Sequence, residues 1–290
     1  MKAEFFLQKI KIEFPEVKWK KYIYLTHGWD HVIIILDNKF VFRMPKKVSK
    51  DSLSNLHDEI QLLRYLKNKV RASIPDYTYL SKDKSLAGYK LVEGRELNLN
   101  LYKQLSASEK ENIAKQLADF LTTLHKTPFS IAKKYNIRTE TPAKLYAWQV
   151  RDIKKYIFPR LNKKEVLIIQ KYLVELKAAL DLNFSSALKH GDLTWEHILW
   201  DNRKKRVNII DFSDRSLGDP ASDFAGLWEY GSELVKRVYK LYRGKKDGKL
   251  LYRSQLYFKR IPLFVMKDAL TGFPCTFKDG YAMFKKRFIH

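Results

Sequence analysis

The chain of 290 residues has a single cysteine, Cys275. One thiol excludes a disulfide framework and any cysteine-based zinc site, and it fits a reducing compartment. No apolar run approaches the roughly 20 residues of a membrane-spanning helix. The longest, about Val32 to Leu36, has the length of a strand. The opening MKAEFFLQKIKIEF is interrupted by charges and followed by no small-residue cleavage site, so it reads as the start of the domain rather than a signal peptide. The expectation is a soluble, cytoplasmic protein with no membrane partner. Internal repeats and low-complexity linkers are lacking as well. Acidic residues are scarce: 32 Asp and Glu stand against 56 Lys and Arg, a net charge of +24. Such an excess fits an anionic partner or a compositional bias toward lysine. The cations are scattered, with no block of five like charges, which disfavours nucleic acid as a partner.

What is present is ordinary for a globular protein: 45% hydrophobic and 30% charged residues. The length suits one large domain or two lobes. Tyr22–Thr26, Val32–Leu36 and Phe40–Met44 read as strands. Asp37-Asn38 supplies hairpin chemistry, because both residues tolerate a positive φ. Asp51 and Ser52 can cap a helix from about Leu53 to Lys69, with apolar residues at Leu56, Ile60, Leu63 and Leu66. Pro75–Leu80 and Leu86–Val92 read as two further strands. Beyond Glu93-Gly94 the pattern turns helical, with amphipathic segments at Ala107–His125, Pro142–Ile157 and Lys163–Leu180. Val207–Ile210 is a short buried strand, and the remainder reads as helix. The fold class is therefore α+β: an N-lobe (1–92) with an antiparallel sheet and one helix, and a mainly helical C-lobe (93–290), with a cleft between them.

The densest chemistry lies between His190 and Asp223: HGDLTWEHILWD, VNIIDFSD and LGDPASDF. Asp192 stands five residues before His197, and Asp211 follows a short apolar strand. Phosphoryl transfer uses such a set: a carboxylate that accepts the proton of the acceptor hydroxyl, a metal ligand five residues on, and a second metal-binding Asp after a strand. A carboxylate at a strand end is a good hard-oxygen ligand for Mg²⁺. A histidine nitrogen is a softer one, and His197 could instead bond backbone at a helix start. Asp219, before Pro220, reads as a helix cap.

HGDLTWEHIL…IIDFSDRSLGDPASDF resembles the aminoglycoside phosphotransferase family, and within it the 2″-aminoglycoside and macrolide phosphotransferase subgroups. Leu124-His125-Lys126-Thr127-Pro128 also resembles a helix end of that family. The resemblance implies a protein-kinase-like fold in which Asp192 is the catalytic base and His197 and Asp211 hold Mg²⁺. The donor would be ATP or GTP, and the other partner a small-molecule hydroxyl acceptor. Leu25-Thr26-His27-Gly28-Trp29-Asp30-His31 lies where the family covers the phosphates. Gly28 and Asp30 match, while Thr26 and His31 depart from the pattern. Arg43 takes the place of the nucleotide-orienting lysine, with Glu59 as its helix partner. Tyr89 would back the base pocket, and backbone near Leu91 and Val92 would read the purine edge.

The resemblance points to an antibiotic acceptor, first an aminoglycoside. An aminoglycoside is a polycation, so its kinase needs carboxylates in the acceptor cleft. Asp214, Glu196, Glu229 and Glu233 are the candidates, the last two spaced to share a helix face. Against this, residues 225–290 hold 15 Lys and Arg but only five Asp and Glu, a field that repels polycations. A macrolide, or a choline-like or sugar alcohol, stays open. Trp195, Trp200, Trp228 and Tyr230 either stack on the acceptor or belong to the core. A catalytically dead basic binding module is the competing reading, and the presence of both Asp192 and Asp211 argues against it. The short Asp211–Asp219 segment argues against a protein acceptor.

Overall fold

The computed structural model describes residues 2–26 and 31–289. Helix α1 (Ala3–Glu13) precedes five antiparallel strands: β1 (Tyr22–Leu25), β2 (His31–Leu36), β3 (Phe40–Pro45), β4 (Tyr77–Leu80) and β5 (Ala87–Lys90), in the order β1-β2-β3-β5-β4. Helix α2 (Lys50–Leu66) leaves after β3. The β2–β3 turn places Asp37 and Asn38 at φ 49° and 52°, the left-handed pair expected of a two-residue hairpin. The α2 helix starts three residues before the predicted Leu53. Its cap is Ser49, locked in a reciprocal box with Ser52, and not Asp51 or Ser52.

The sheet is covered on both faces. Val32, Ile34, Leu36, Phe42 and Met44 pack against Phe6 and Ile10 of α1. Val41, Ala87 and Tyr89 join Leu56, Ile60 and Leu63 of α2. Strand β2 alternates half-buried and buried side chains along its length, as a period of two requires. Helix α1 was missed because Glu4, Lys9, Lys11 and Glu13 interrupt the apolar positions that make its buried face.

From Gly94 the chain is mainly helical. Strand β6 (Arg95–Glu96) leads to α3 (Leu99–Gln104), α4 (Ala107–His125), α5 (Phe129–Lys134), α6 (Pro142–Asp152) and α7 (Lys163–Leu180). Both α4 and α7 start in capping boxes, Ser106 with Glu109 and Asn162 with Glu165. A π turn at Ile153–Ile157 continues α6. Three short strands follow, β7 (Ala187–Lys189), β8 (Ile198–Asp201) and β9 (Arg206–Ile209), and then β10 (Ser216–Gly218). They form a β7–β10 pair and a β6–β8–β9 sheet. Two 3₁₀ turns, Pro220–Phe224 and Gly226–Tyr230, precede α8 (Ser232–Leu241), α9 (Leu250–Ala269) and α10 (Phe277–Phe288). The segment read as continuous helix after Ile210 thus opens with a strand and two 3₁₀ turns. A three-residue buried strand is too short to show a period. No helix among the described residues is long and apolar enough to cross a membrane.

If α1 is part of the core, Phe6→Ala destabilises the protein by about 3–5 kcal/mol in urea unfolding. Truncating the exposed Val174 of α7 stays within about 0.5 kcal/mol.

Candidate active site

The site hangs on a buried carboxylate. Asp223, fully buried in the first 3₁₀ turn, accepts hydrogen bonds from the backbone N–H of His190 at Oδ2 (2.8 Å) and of Gly191 at Oδ1 (2.9 Å). His125 Nε2, at the end of α4, donates to Oδ2 at 3.1 Å, and the Tyr242 hydroxyl lies 2.8 Å from His125 Nδ1. Burial alone would raise the Asp223 carboxyl, but the hydrogen bond from His125 holds it below the ordinary carboxylate range. Gly191 stands at φ 90°, and a Cβ there would lie 2.2 Å from the Asp214 carbonyl oxygen. Only glycine lets the two loops meet.

This anchor sets the direction of Asp192. The backbone N–H of Asp192 donates to His190 Nδ1 at 3.3 Å, and His190 Nε2 donates to the Ile210 carbonyl at 3.0 Å. Burial pushes the His190 imidazole down, so it is a neutral strut between the Asp192 and Asp211 loops. Burial also pushes the Asp192 carboxyl up to about 6. The Asp214, Asp211 and Glu196 carboxylates add to the rise, and His197 opposes it. His197 Nδ1 donates to the Asp192 carbonyl at 2.8 Å, while its Nε2 lies 3.7 Å from Asp211 Oδ2. Burial lowers the His197 pKa, but Asp192 and Asp211 outweigh it and the net shift is upward.

Asp211 follows β9 at φ 61°, a left-handed conformation that costs a non-glycine residue energy and marks functional turns. Its Oδ1 accepts from the Ser213 N–H at 3.2 Å and from the Ser213 hydroxyl. Burial works against ionisation, yet Arg43, His197 and Ser213 hold the carboxyl well below the usual range. Ser213, where a glycine is common in kinases, closes this turn.

On the sheet side, Arg43 is buried and donates to Glu59 Oε1 (2.8 Å), to the Tyr77 hydroxyl (2.9 Å) and to His31 Nδ1 (3.0 Å). Burial first, and then Arg43, pushes the His31 imidazole down to about 3, so it accepts as a neutral ring. Sequence reasoning missed Arg215. It donates to the Phe212 carbonyl (3.1 Å) and to Asn55 of α2 (2.7 and 2.9 Å), and lies 3.6 Å from Glu59 Oε2. It ties the Asp211 loop to the helix that holds Arg43 in place. Asp223 and His125 were missed too, although the motifs DPASDF and LHKTP contain them.

Gly28 and Asp30 lie outside the described residues. Tyr89 is buried edge-on to Tyr77, with ring centroids 4.9 Å apart. The Leu91 N–H donates to the Lys39 carbonyl at 2.8 Å. Asp214 and Glu196 are exposed beside Asp192, Asp214 paired with Arg138 at 3.2 Å. Glu229 and Glu233 do not share a helix face. Glu229 belongs to a 3₁₀ turn and Glu233 to α8, and Gly231 at φ 101° separates them. Glu229 is paired instead with Lys286 (3.1 Å) and Arg287 (2.9 Å) of α10. Trp200 and Tyr230 are core. Asp219 caps its turn as expected, accepting from the Ala221 N–H at 3.0 Å; its carboxylate also takes Arg253 (2.6 and 3.0 Å) and Tyr257 (2.8 Å).

The family model described as "Phosphotransferase enzyme family" matches residues 22–248. Viomycin phosphotransferase of Streptomyces vinaceus is 30% identical over 138 residues. That match spans 45% of this chain and 46% of the relative, so the chain covers about half of the curated protein's length. Among solved structures, an APH(2″) complex with GDP and kanamycin superposes with a TM-score of 0.86 at 22% identity, covering 98% of each chain. Macrolide 2′-phosphotransferase type I superposes at 0.68 and 21% identity, covering 100% of this chain and 97% of that one. At these identities the likeness establishes the fold.

Asp223→Asn turns one acceptor into a donor facing N–H groups, and lowers stability by about 1–3 kcal/mol at pH 7. The folded-state carboxyl sits below its unfolded value. Its stabilisation is therefore full at neutral pH and lost as pH falls below about 4. The gap between variant and wild type in thermal melts narrows accordingly in acid.

Proposed function

The chain belongs to the phosphotransferase enzyme family, and from that premise we propose that it transfers the γ-phosphate of ATP or GTP to a hydroxyl of an antibiotic, an aminoglycoside first. The observation that carries this reading is the convergence of Asp192, His197 and Asp211 opposite the buried Arg43–Glu59 pair. The acceptor hydroxyl attacks phosphorus in line as the bond to the β-phosphate oxygen breaks, and its proton passes to Asp192. A loose transition state asks for positioning more than for a strong base. The Arg43 Nη2, now bonded to the neutral His31, is the donor available to the donor phosphates. Leu91 and Val92 offer one backbone acceptor and one donor to the purine edge, with Tyr89 behind them.

Among the described residues no three His, Cys, Asp or Glu side chains converge as a metal-ligating group. Asp211 nevertheless fits a hard cation: it is held ionised, and its Oδ2 is free of the Ser213 bonds that hold Oδ1. Asp211 would hold Mg²⁺, with the facing His197 Nε2 as second donor once that ring is neutral. The ion would neutralise phosphate charge.

The aminoglycoside takes precedence over other alcohols because of local charge. Glu196, Asp211 and Asp214 all act on Asp192, so a chain of net charge +24 gathers four carboxylates at one cleft. Such a cluster suits an ammonium-bearing acceptor. The names of the relatives, a viomycin phosphotransferase and a kanamycin-bound APH(2″) structure, point to antibiotics of that kind. Glu229, already neutralised by Lys286 and Arg287, is outside this clamp, and Glu233 is distinct from it.

The test is turnover of ATP and of GTP with aminoglycosides, viomycin, macrolides and choline as acceptors. Acceptor-dependent turnover falls by about 10²–10⁴-fold in Asp192→Asn, with nucleotide Kd changed by less than a few-fold. In the wild type kcat/KM falls on the acid side with a midpoint near 6, because Asp192 must be ionised to take the proton. Equal turnover in the variant would overturn the assignment of the base.

A further inference from the structure

A second concavity lies at the far end of the β8–β9 hairpin from His197. It has a volume of about 480 Å³, and Arg71, Lys115, Lys204, Lys205, Arg206 and Arg243 line it with a single carboxylate, Asp119. The six cations come from four separate places in the fold: the loop after α2, α4, the β8–β9 turn and the segment after α8. They are scattered in sequence and gathered in space.

Surface carboxylates do not cancel them. Asp119 is shared by Arg243 (3.1 Å) and Arg71 (3.9 Å). Glu111 is shared by Arg237 (2.5 Å) and Lys115 (3.5 Å), and Glu93 by Lys204 (2.5 Å) and Arg203 (3.6 Å). Lys205 alone has its own partner, Glu109 at 2.7 Å. Arg206 makes no ion pair among the described residues. Asp201, at the end of β8, also acts on Lys204, so eight cations meet five carboxylates. Like charges drawn together with too little counter-charge are unfavourable unless an anion sits among them.

The turn that carries three of the six is held rigid. Lys205 takes a left-handed backbone at φ 50°. Its carbonyl accepts from Asn112 Nδ2 and Gln116 Nε2, both at 2.9 Å, and Gln116 Oε1 takes the Val207 N–H at 2.9 Å. A glycine would adopt that backbone more easily; a lysine there keeps a cation at the rim. The floor includes the apolar Phe120 and Leu241.

We propose that this concavity binds a chain of linked phosphates, as in a single-stranded polynucleotide backbone or a free oligophosphate, independently of the catalytic cleft. One phosphate is satisfied by two or three donors. Six cations spread around about 480 Å³ match several phosphates in a row, and the volume lies within the range of ligand sites.

Binding of a fluorescent RNA 10-mer and of tripolyphosphate is measured at increasing salt. The wild type is compared with the triple variant Arg71→Ala, Lys115→Ala, Arg206→Ala, three exposed positions. The variant is expected to melt as the wild type does and to keep its nucleotide turnover, while losing at least tenfold in affinity for the bound probe. Its log–log salt slope for RNA falls by about 2, at about 0.7 per charge removed on a single strand. RNA bound more tightly than tripolyphosphate identifies a polynucleotide; tripolyphosphate bound as tightly or better identifies a free oligophosphate. Unchanged binding in the variant, or no binding of either probe by the wild type at about 0.1 M salt, overturns the proposal. Neither result bears on phosphoryl transfer, which is read separately by turnover.

Discussion

The buried Asp223 carboxylate is the constraint on which the site depends. It is acceptor-only when ionised, and it lies where two consecutive backbone N–H groups would otherwise be unpaired in the protein interior. Those N–H groups belong to His190 and Gly191, so satisfying them fixes the peptide that launches Asp192. The same carboxylate takes His125 from the end of α4, and through that ring Tyr242 after α8. One ionised group therefore ties a helix end, a loop and a 3₁₀ turn together. A buried charge is tolerable only when its hydrogen-bonding capacity is filled, and here the filling groups belong to the loop that carries Asp192.

From that anchor, order passes outward through polar contacts rather than through apolar packing. His190 bridges to the strand end that carries Asp211, and Arg215 bridges the Asp211 loop to α2. Glu59 of α2 holds Arg43. Asp192, Asp211 and Arg43 are thus links of one chain of hydrogen bonds and ion pairs. Arg215 makes the link between the Asp211 loop and α2 within the chain itself.

The sequence disclosed the parts of this design that repeat a local rule. The strands of the sheet, the Asp37-Asn38 turn, α2, α4 and α7 all obey a period or a cap, and all were placed to within a few residues. Asp192, His197 and Asp211 stood out by their spacing, and the fold brings the three side chains together. What stayed hidden depends on distance along the chain. Asp223 reaches back to His190, His125 lies far upstream, and Arg215 meets Asn55 from α2; no window of neighbouring residues holds such a pair. Glu229 and Glu233 show the converse. Their spacing fitted a helix face, but Gly231 ended one element and began another between them. Charged interruptions concealed α1 in a similar way, since a helix needs only one apolar stripe to dock.

Net charge is the quantity that sequence reading treats least well, because it sums what the fold separates. An aminoglycoside acceptor and a net charge of +24 looked opposed while the charge was an average. In three dimensions Glu196, Asp211 and Asp214 act on Asp192, while six cations with a single carboxylate line the concavity at the other end of the β8–β9 hairpin. Screening at physiological salt acts over about 8 Å. A ligand in the cleft therefore responds mainly to the four carboxylates around it and only weakly to the remote cations. The same screening keeps the basic concavity free of the acidic cleft. One hairpin thus holds a cluster of carboxylates near His197 at one end and a basic concavity at the other.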